Sequence, residues 1–114
     1  MDTCTLKKFP KSEARRGPMS QLYLAAGKDV ALRMWEGEVE ADGIEGPARD
    51  YETVGYVISG RAELTIERQT ISLVRGDSWV VPKGAAHSYK IIEAFTAVEA
   101  TSPPARWESR DEAQ

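Results

Sequence analysis

A regular alternation of polar and apolar residues in the middle of the chain is the feature that most limits its fold. In RAELTIE, residues 61–67, the apolar residues Ala62, Leu64 and Ile66 alternate with polar or charged ones. This period of two is typical of a β-strand with one buried face. Similar runs, separated by turn residues, predict about eight strands, and no segment has helix spacing with caps at its ends. The sequence therefore predicts an all-β sandwich or barrel.

The segment before this strand, ETVGYVISG at residues 52–60, is apolar on both faces. Alternation places Val54, Tyr56 and Ile58 together on one of those faces. Because a small barrel has only one interior, this face must be covered by a second sheet layer or by a partner subunit. Gly60 is predicted to turn the chain into the next strand.

Three further segments are interpreted from their turn residues and composition. HSYKII, residues 87–92, and FTAVEAT, residues 95–101, are predicted as two short strands. Between Glu38 and Asp50 the chain is acidic and rich in glycine, which indicates a loop at the mouth of the barrel.

Length and composition limit the chain to one globular domain. It has 114 residues, of which 41% are hydrophobic and 29% charged, as in an ordinary single domain. We expect a loosely ordered segment over residues 1–18, the barrel over residues 19–104 and a charged, flexible tail over residues 105–114.

Charge and cysteine usage bear on partners and location. The net charge is −3 and the basic residues are scattered, which argues against a nucleic-acid partner. No apolar run suits a signal peptide or a membrane span, so secretion and membrane insertion are disfavoured. The single cysteine, Cys4, can form no internal disulfide, which suits a cytoplasmic protein.

The stretch GDSWVVPKGAAHSYK, residues 76–90, contains the only histidine of the chain. It has a glycine, five residues, Pro-x-Gly, two residues and then the histidine, at positions Gly76, Pro82, Gly84 and His87. This spacing resembles the second sequence motif of the cupins, and Gly60 resembles the glycine that closes their first motif. The resemblance runs from Asp50 to Pro104. It implies a single-domain double-stranded β-helix, or jelly-roll barrel, with a ligand cavity inside.

The resemblance also says where a metal would bind in family members that hold one. Their ligands are two histidines and a glutamate or glutamine of the first motif, together with the histidine that matches His87. In this chain the first three positions hold Pro47, Arg49 and Thr53. Zinc and facial-triad iron sites need more ligands than one histidine, so we predict no metal and no cofactor. A hard cation held by nearby carboxylates stays open as an alternative.

Arg49 would place a fixed positive charge where those relatives hold a cation, and such a charge favours a negative ligand. By alternation Arg49, Tyr51 and Thr53 share one strand face. The inward face of the neighbouring strand would add His87 and Tyr89. These five residues predict a small-molecule site, for a carboxylate or another oxygen-rich anion. The alternative is that Arg49 turns outward to a carboxylate and that His87 is a hydrogen-bonded core residue.

Several classes of function remain open. The first is a non-metal cupin that binds a small molecule without chemistry of its own. The second is suggested by the metal-independent sugar epimerases among the cupins, with His87 as the base and Tyr89 or Tyr51 as the acid. A structural protein with a vestigial cavity and a metal-dependent dioxygenase are weaker alternatives. The resemblance also implies a homodimer, formed through the second apolar face of residues 52–60.

Overall fold

The computed structural model describes residues 6–39, 41–46 and 49–105 and consists almost entirely of β-strands. A single 3₁₀ turn at Lys11–Glu13 precedes the strands. The strands are β1 (Arg15–Arg16), β2 (Leu22–Ala26), β3 (Ala31–Glu38), β4 (Ala41–Gly46), β5 (Glu52–Ile66), β6 (Gln69–Val74), β7 (Ser78–Val81) and β8 (His87–Ser102). This architecture confirms the predicted all-β fold. None of the helices in the described ranges is long and apolar enough to cross a membrane.

Two long strands, β5 and β8, form the centre of one antiparallel sheet. Along the edge of β8 that faces away from β5, the end of β8 pairs with β3 and the start of β8 pairs with β4. Along the edge of β5 that faces away from β8, the start of β5 pairs with β7 and the end of β5 pairs with β6. β2 and β1 extend the sheet beyond β3. The long strands therefore belong to two halves of the sheet: a large half with β1, β2, β3 and β7, and a small half with β4 and β6.

The prediction that Gly60 turns one strand into the next is wrong, because β5 runs through it without a break. The pairing of β5 with β8 shifts register around this glycine, which has a positive φ of 87°. A Cβ atom here would lie 1.9 Å from the carbonyl oxygen of Ala94 on β8. Only glycine allows the two backbones to approach this closely where the large half of the sheet passes into the small half.

Two other predictions about strands need correction. The segments 87–92 and 95–101 are not separate strands, because both belong to the 16-residue strand β8. The acidic segment between Glu38 and Asp50 is not only a loop, since it contains β4, whose backbone pairs with the start of β8. In both cases pairing with a neighbouring strand keeps the segment extended, and this nonlocal contact is not visible in the local sequence.

The core lies between the inner faces of the two halves. Its buried apolar side chains come from β5, β6, β7 and β8: Val57, Ala62, Leu64, Leu73, Trp79, Val81, Ile91, Phe95 and Ala97. The indole ring of Trp79 lies over Gly55, where a Cβ atom would be 2.4 Å from the ring. A side chain at position 55 would thus displace the largest ring of the core.

The second apolar face of β5 is exposed. The relative exposure of Val54 is 49%, of Tyr56 50% and of Ile58 41%. Val80 on β7 pairs with Val54 and is 50% exposed, so the apolar surface continues across the large half of the sheet. Within the described ranges, no second sheet layer covers these side chains.

Candidate functional site

A cavity of about 100 Å³ lies between the two halves of the sheet. β3 and β8 supply most of its wall, and the segments before β2 and β5 supply the rest. The lining residues are Met19, Arg33, Trp35, Glu38, Arg49, Tyr51, His87, Tyr89, Ile91, Phe95 and Glu99. Four of these are aromatic in addition to the histidine, so the wall is mostly flat and apolar with a few charged groups.

A buried ion pair forms the inner end of this cavity. Arg33 of β3 and Glu99 of β8 are register partners, and their side chains point to the same face of the sheet. Nε of Arg33 donates to Oε1 of Glu99 at 2.8 Å, and the two residues are only 5% and 2% exposed. Each charge is thus out of contact with water and depends on the other for compensation.

Neighbouring side chains complete a network around this pair. Nε1 of Trp35 also donates to Oε1 of Glu99, at 2.8 Å, and Nη1 of Arg33 donates to the hydroxyl of Tyr51 at 3.1 Å. The guanidinium lies over the rings of Tyr51 and Trp35, 5.4 and 5.5 Å from their centroids. Hydrogen bonds and cation–π contacts thereby fix the position of the carboxylate and the guanidinium.

Tyr89 connects this network to the rest of the cavity. Its hydroxyl donates to Oε2 of Glu99 at 3.3 Å. Burial raises the pKa of Tyr89 well above its ordinary value, and the negative charge of Glu99 raises the pKa further. The indole N–H of Trp79 and the charge of Arg33 act in the opposite direction without cancelling the increase. Although close enough to act on Tyr89, the buried indole N–H of Trp79 makes no hydrogen bond of ordinary geometry. Because its pKa is raised, Tyr89 stays protonated and is a hydrogen-bond donor throughout the physiological pH range.

His87 lies at the start of β8, half-buried beside Tyr89. The two rings meet edge to face with centroids 5.5 Å apart. Nδ1 of His87 lies 3.2 Å from the carbonyl oxygen of Ala85. Because a carbonyl oxygen can only accept, Nδ1 carries a proton in this hydrogen bond, and Nε2 is the ring nitrogen that can take up or give up a proton.

Arg49 is held at the cavity by the Pro-x-Gly turn of the motif. The backbone N–H of Gly84 donates to the carbonyl of Arg49 at 2.9 Å. The side chain of Arg49 lies against Met19, with Nη2 3.4 Å from the sulfur. Arg49 lines the cavity and has further interactions besides this contact. The motif that aims His87 also fastens the segment that carries Arg49.

The residues predicted for the site divide into two groups. Arg49, Tyr51, His87 and Tyr89 all line the cavity. Thr53 is not among the lining residues and is buried beside its register partners on β7 and β8. Pro47 lies outside the described residues.

Sequence reasoning did not find Arg33 and Glu99, the most buried charged residues of the cavity. The sequence did contain an indication of this pair. Arg33 shares one strand face with Ala31 and Trp35, and Glu99 shares one strand face with Ala97. One base and one acid on otherwise apolar faces of two strands indicate a buried ion pair, but only once β3 and β8 are known to be neighbours.

The side chains that line the cavity do not form the metal-binding site that the family resemblance implies. Among the described residues they contribute one imidazole and two carboxylates, and one of these carboxylates is engaged by Arg33. Two guanidinium groups line the same space and would repel a cation. Within the described ranges there is no group of three or more His, Cys, Asp or Glu residues arranged to hold an ion. The chemistry of the wall suits hydrogen bonding to an organic ligand better.

Comparison with known families places the chain. The model of the cupin domain family matches residues 35–100, more than half of the sequence. The chain therefore belongs to the cupin family, which confirms the resemblance seen in the motif of residues 76–90. A search of curated proteins gives no match.

Solved structures with the same fold agree with this assignment. KdgF from Halomonas sp. is 21% identical, with a TM-score of 0.72 over 91% of this chain and 97% of that one. An RmlC-like cupin from Shewanella frigidimarina is 16% identical, with a TM-score of 0.72 over 87% of this chain and 92% of that one. A cupin superfamily protein from Desulfitobacterium hafniense is 23% identical, with a TM-score of 0.59 over 87% and 98% of the two chains. At these identities the likeness shows the fold alone.

Proposed function

We propose that this cupin binds a small organic anion in the cavity between the two halves of its sheet, without a metal ion. The observation that carries the proposal is the convergence of Arg49 and His87 on an aromatic-walled cavity. A guanidinium has five N–H donors, so Arg49 can hold protein groups and a ligand carboxylate at once. Nε2 of His87 adds a site that can accept a hydrogen bond or take up a proton.

The distribution of charge supports Arg49 rather than Arg33 as the anion-binding group. Arg33 is buried against Glu99, which offsets its charge at 2.8 Å. Arg49 is half-buried, so a ligand can reach it without breaking the inner ion pair. A carboxylate placed near Glu99 would meet a like charge, and this directs the negative end of a ligand toward Arg49.

Substitution of Arg49 tests the proposal. We expect Arg49→Gln to weaken the binding of benzoate by about tenfold to a hundredfold, since a charge-assisted hydrogen bond contributes about 1.5–3 kcal/mol. Isothermal titration calorimetry of the full chain measures the change. Arg75→Gln, at an exposed position away from the cavity, is the matched control and should bind as the native protein does. Equal affinities for both variants would contradict the proposal.

A metal-independent isomerase or epimerase is the second candidate, and the pairing of His87 with Tyr89 favours it. Nε2 of His87 is the free ring nitrogen, and Tyr89 keeps its proton because its pKa is raised. The first can accept a proton, and the second can donate a hydrogen bond to an oxygen of the substrate. Solvent deuterium entering the α-carbon of a bound chiral carboxylic acid, followed by NMR, would reveal such chemistry. If the acid binds but its α-hydrogen does not exchange with solvent, the protein binds the ligand without catalysing this reaction.

We also propose that two copies of the chain associate through the exposed apolar face of β5. Val54, Tyr56 and Val80 form a contiguous surface there, and each is about half exposed. Val54→Glu should convert the dimer to a monomer, because a buried carboxylate without a partner is costly. Light scattering coupled to gel filtration measures the mass. Ile71→Glu, which alters an exposed apolar residue of β6, is the control and should stay dimeric. A native protein that is monomeric at micromolar concentration would rule out the dimer.

A cytoplasmic location and the lack of a nucleic-acid partner stay predictions. Both are supported by the single cysteine and the scattered charge of the sequence.

A further inference from the structure

The volume and the lining of the cavity limit the size and shape of the ligand. An engineered apolar cavity of about 150 Å³ holds one benzene molecule, and pockets for drug-sized ligands have about 300–1,000 Å³. The present cavity, at about 100 Å³, is smaller but is open to solvent on one side, so it has room for at most one ring, part of which can extend toward the opening. Aromatic side chains at positions 35, 51, 89 and 95 face it, and flat rings pack well against such surfaces.

Glu99 provides an acceptor at the inner end of this space. Its Oε1 receives two short bonds, from Arg33 and Trp35, both 2.8 Å long. Its Oε2 receives the hydroxyl of Tyr89 at 3.3 Å, beyond the usual 2.5–3.0 Å for O–H···O bonds. A carboxylate offers about four acceptor positions, so Oε2 retains capacity for a further donor.

The charge of Arg33 decides what kind of donor fits Oε2. An ammonium group would approach a guanidinium of the same sign across the shared carboxylate. A hydroxyl or an uncharged aromatic amine brings a donor without that repulsion. The inner end of the cavity therefore favours a neutral donor, whereas its half-buried side, with Arg49, favours an anion.

We infer that the ligand is a single-ring aromatic acid with a hydroxyl or amino substituent on the ring. Its carboxylate binds at Arg49, its ring lies among the aromatic side chains, and its substituent donates a hydrogen bond to Oε2 of Glu99. This inference rests on the proposed binding function and specifies the class of ligand for the same cavity.

A series of matched benzoates tests the inference by calorimetry on the full chain. The 3- and 4-hydroxybenzoates and the corresponding aminobenzoates carry a donor, and the 3- and 4-fluorobenzoates are similar in shape but cannot donate. We expect the better hydroxyl isomer to bind at least about tenfold more tightly than its fluoro counterpart, because the analogue leaves a buried acceptor without a partner. Arg49→Gln should weaken all members by a similar factor and leave the ratio between hydroxyl and fluoro compounds unchanged.

Tyr89→Phe identifies the group that recognises the substituent. It removes the competing donor to Oε2 and keeps the ring, so the preference for the hydroxyl compound should persist or increase. Loss of the preference in this variant would assign recognition to Tyr89 and overturn the role of Glu99.

The remaining outcomes separate this inference from the proposed function. If hydroxyl and fluoro compounds bind equally, or if only short aliphatic acids bind through Arg49, the ligand class is wrong and anion binding stands. If neither the benzoates nor short aliphatic acids bind at millimolar concentration, both proposals fail.

Discussion

Replacing Glu99 by alanine should lower the free energy of unfolding by about 3–5 kcal/mol, measured by urea denaturation. The substitution leaves the guanidinium of Arg33 buried at 5% exposure without the carboxylate that balances it. It also removes the acceptor of Trp35. Since single domains are stable by about 5–15 kcal/mol, a loss of this size consumes a large part of the total.

Two variants serve as controls for this prediction. Glu36→Ala removes the ion pair between Lys11 and Glu36, which is exposed to solvent, and should cost less than about 1 kcal/mol. The double variant Arg33→Met/Glu99→Leu replaces both buried charges by apolar side chains and should recover much of the loss. A cost for Glu99→Ala as small as that of Glu36→Ala would show that the inner charges are solvated and that the ion pair does not close the cavity.

Gly60→Ala should destabilise the protein by about 3–5 kcal/mol, because the positive φ and the close approach of the two strands both exclude a side chain. The added Cβ would lie 1.9 Å from the carbonyl oxygen of Ala94, and backbone on β8 would have to move. Thermal unfolding followed by circular dichroism gives the change in stability.

Gly76→Ala separates the two causes. Gly76 also has a positive φ, of 94°, but a Cβ atom there would meet nothing within 4 Å. We expect a cost of only about 1–2 kcal/mol from backbone strain. If the two alanine variants were equally stable, the contact between β5 and β8 at Gly60 would be adaptable and the bend of the sheet would not depend on glycine.

Much of the fold follows from the sequence, because alternation and turn residues are local signals. The strand over residues 61–67 and the motif of residues 76–90 were sufficient for an all-β cupin barrel. The continuity of β5 through Gly60 was not predictable in this way. A glycine that ends a strand and a glycine that lets a strand cross its neighbour look alike in the sequence, and only pairing with β8 distinguishes them.

The site was predictable only in part, for a related reason. Arg49 and His87 could be placed because the motif of the family fixes their positions relative to Gly60 and Gly84. Arg33 and Glu99 are 66 residues apart and belong to no motif. Their role arises from the pairing of β3 with β8, and a nonlocal pairing of this kind leaves no spacing to recognise.

The continuity of β8 sets a limit on how this protein can change over evolutionary time. One strand of 16 residues carries His87 at its start and Glu99 near its end, so a single continuous strand connects the two ends of the cavity. Inserting or deleting a single residue between them would turn one set of side chains to the opposite face of the sheet. Relatives of this chain can therefore acquire new ligands by exchanging side chains along β8, whereas a change in its length would separate the two ends of the site.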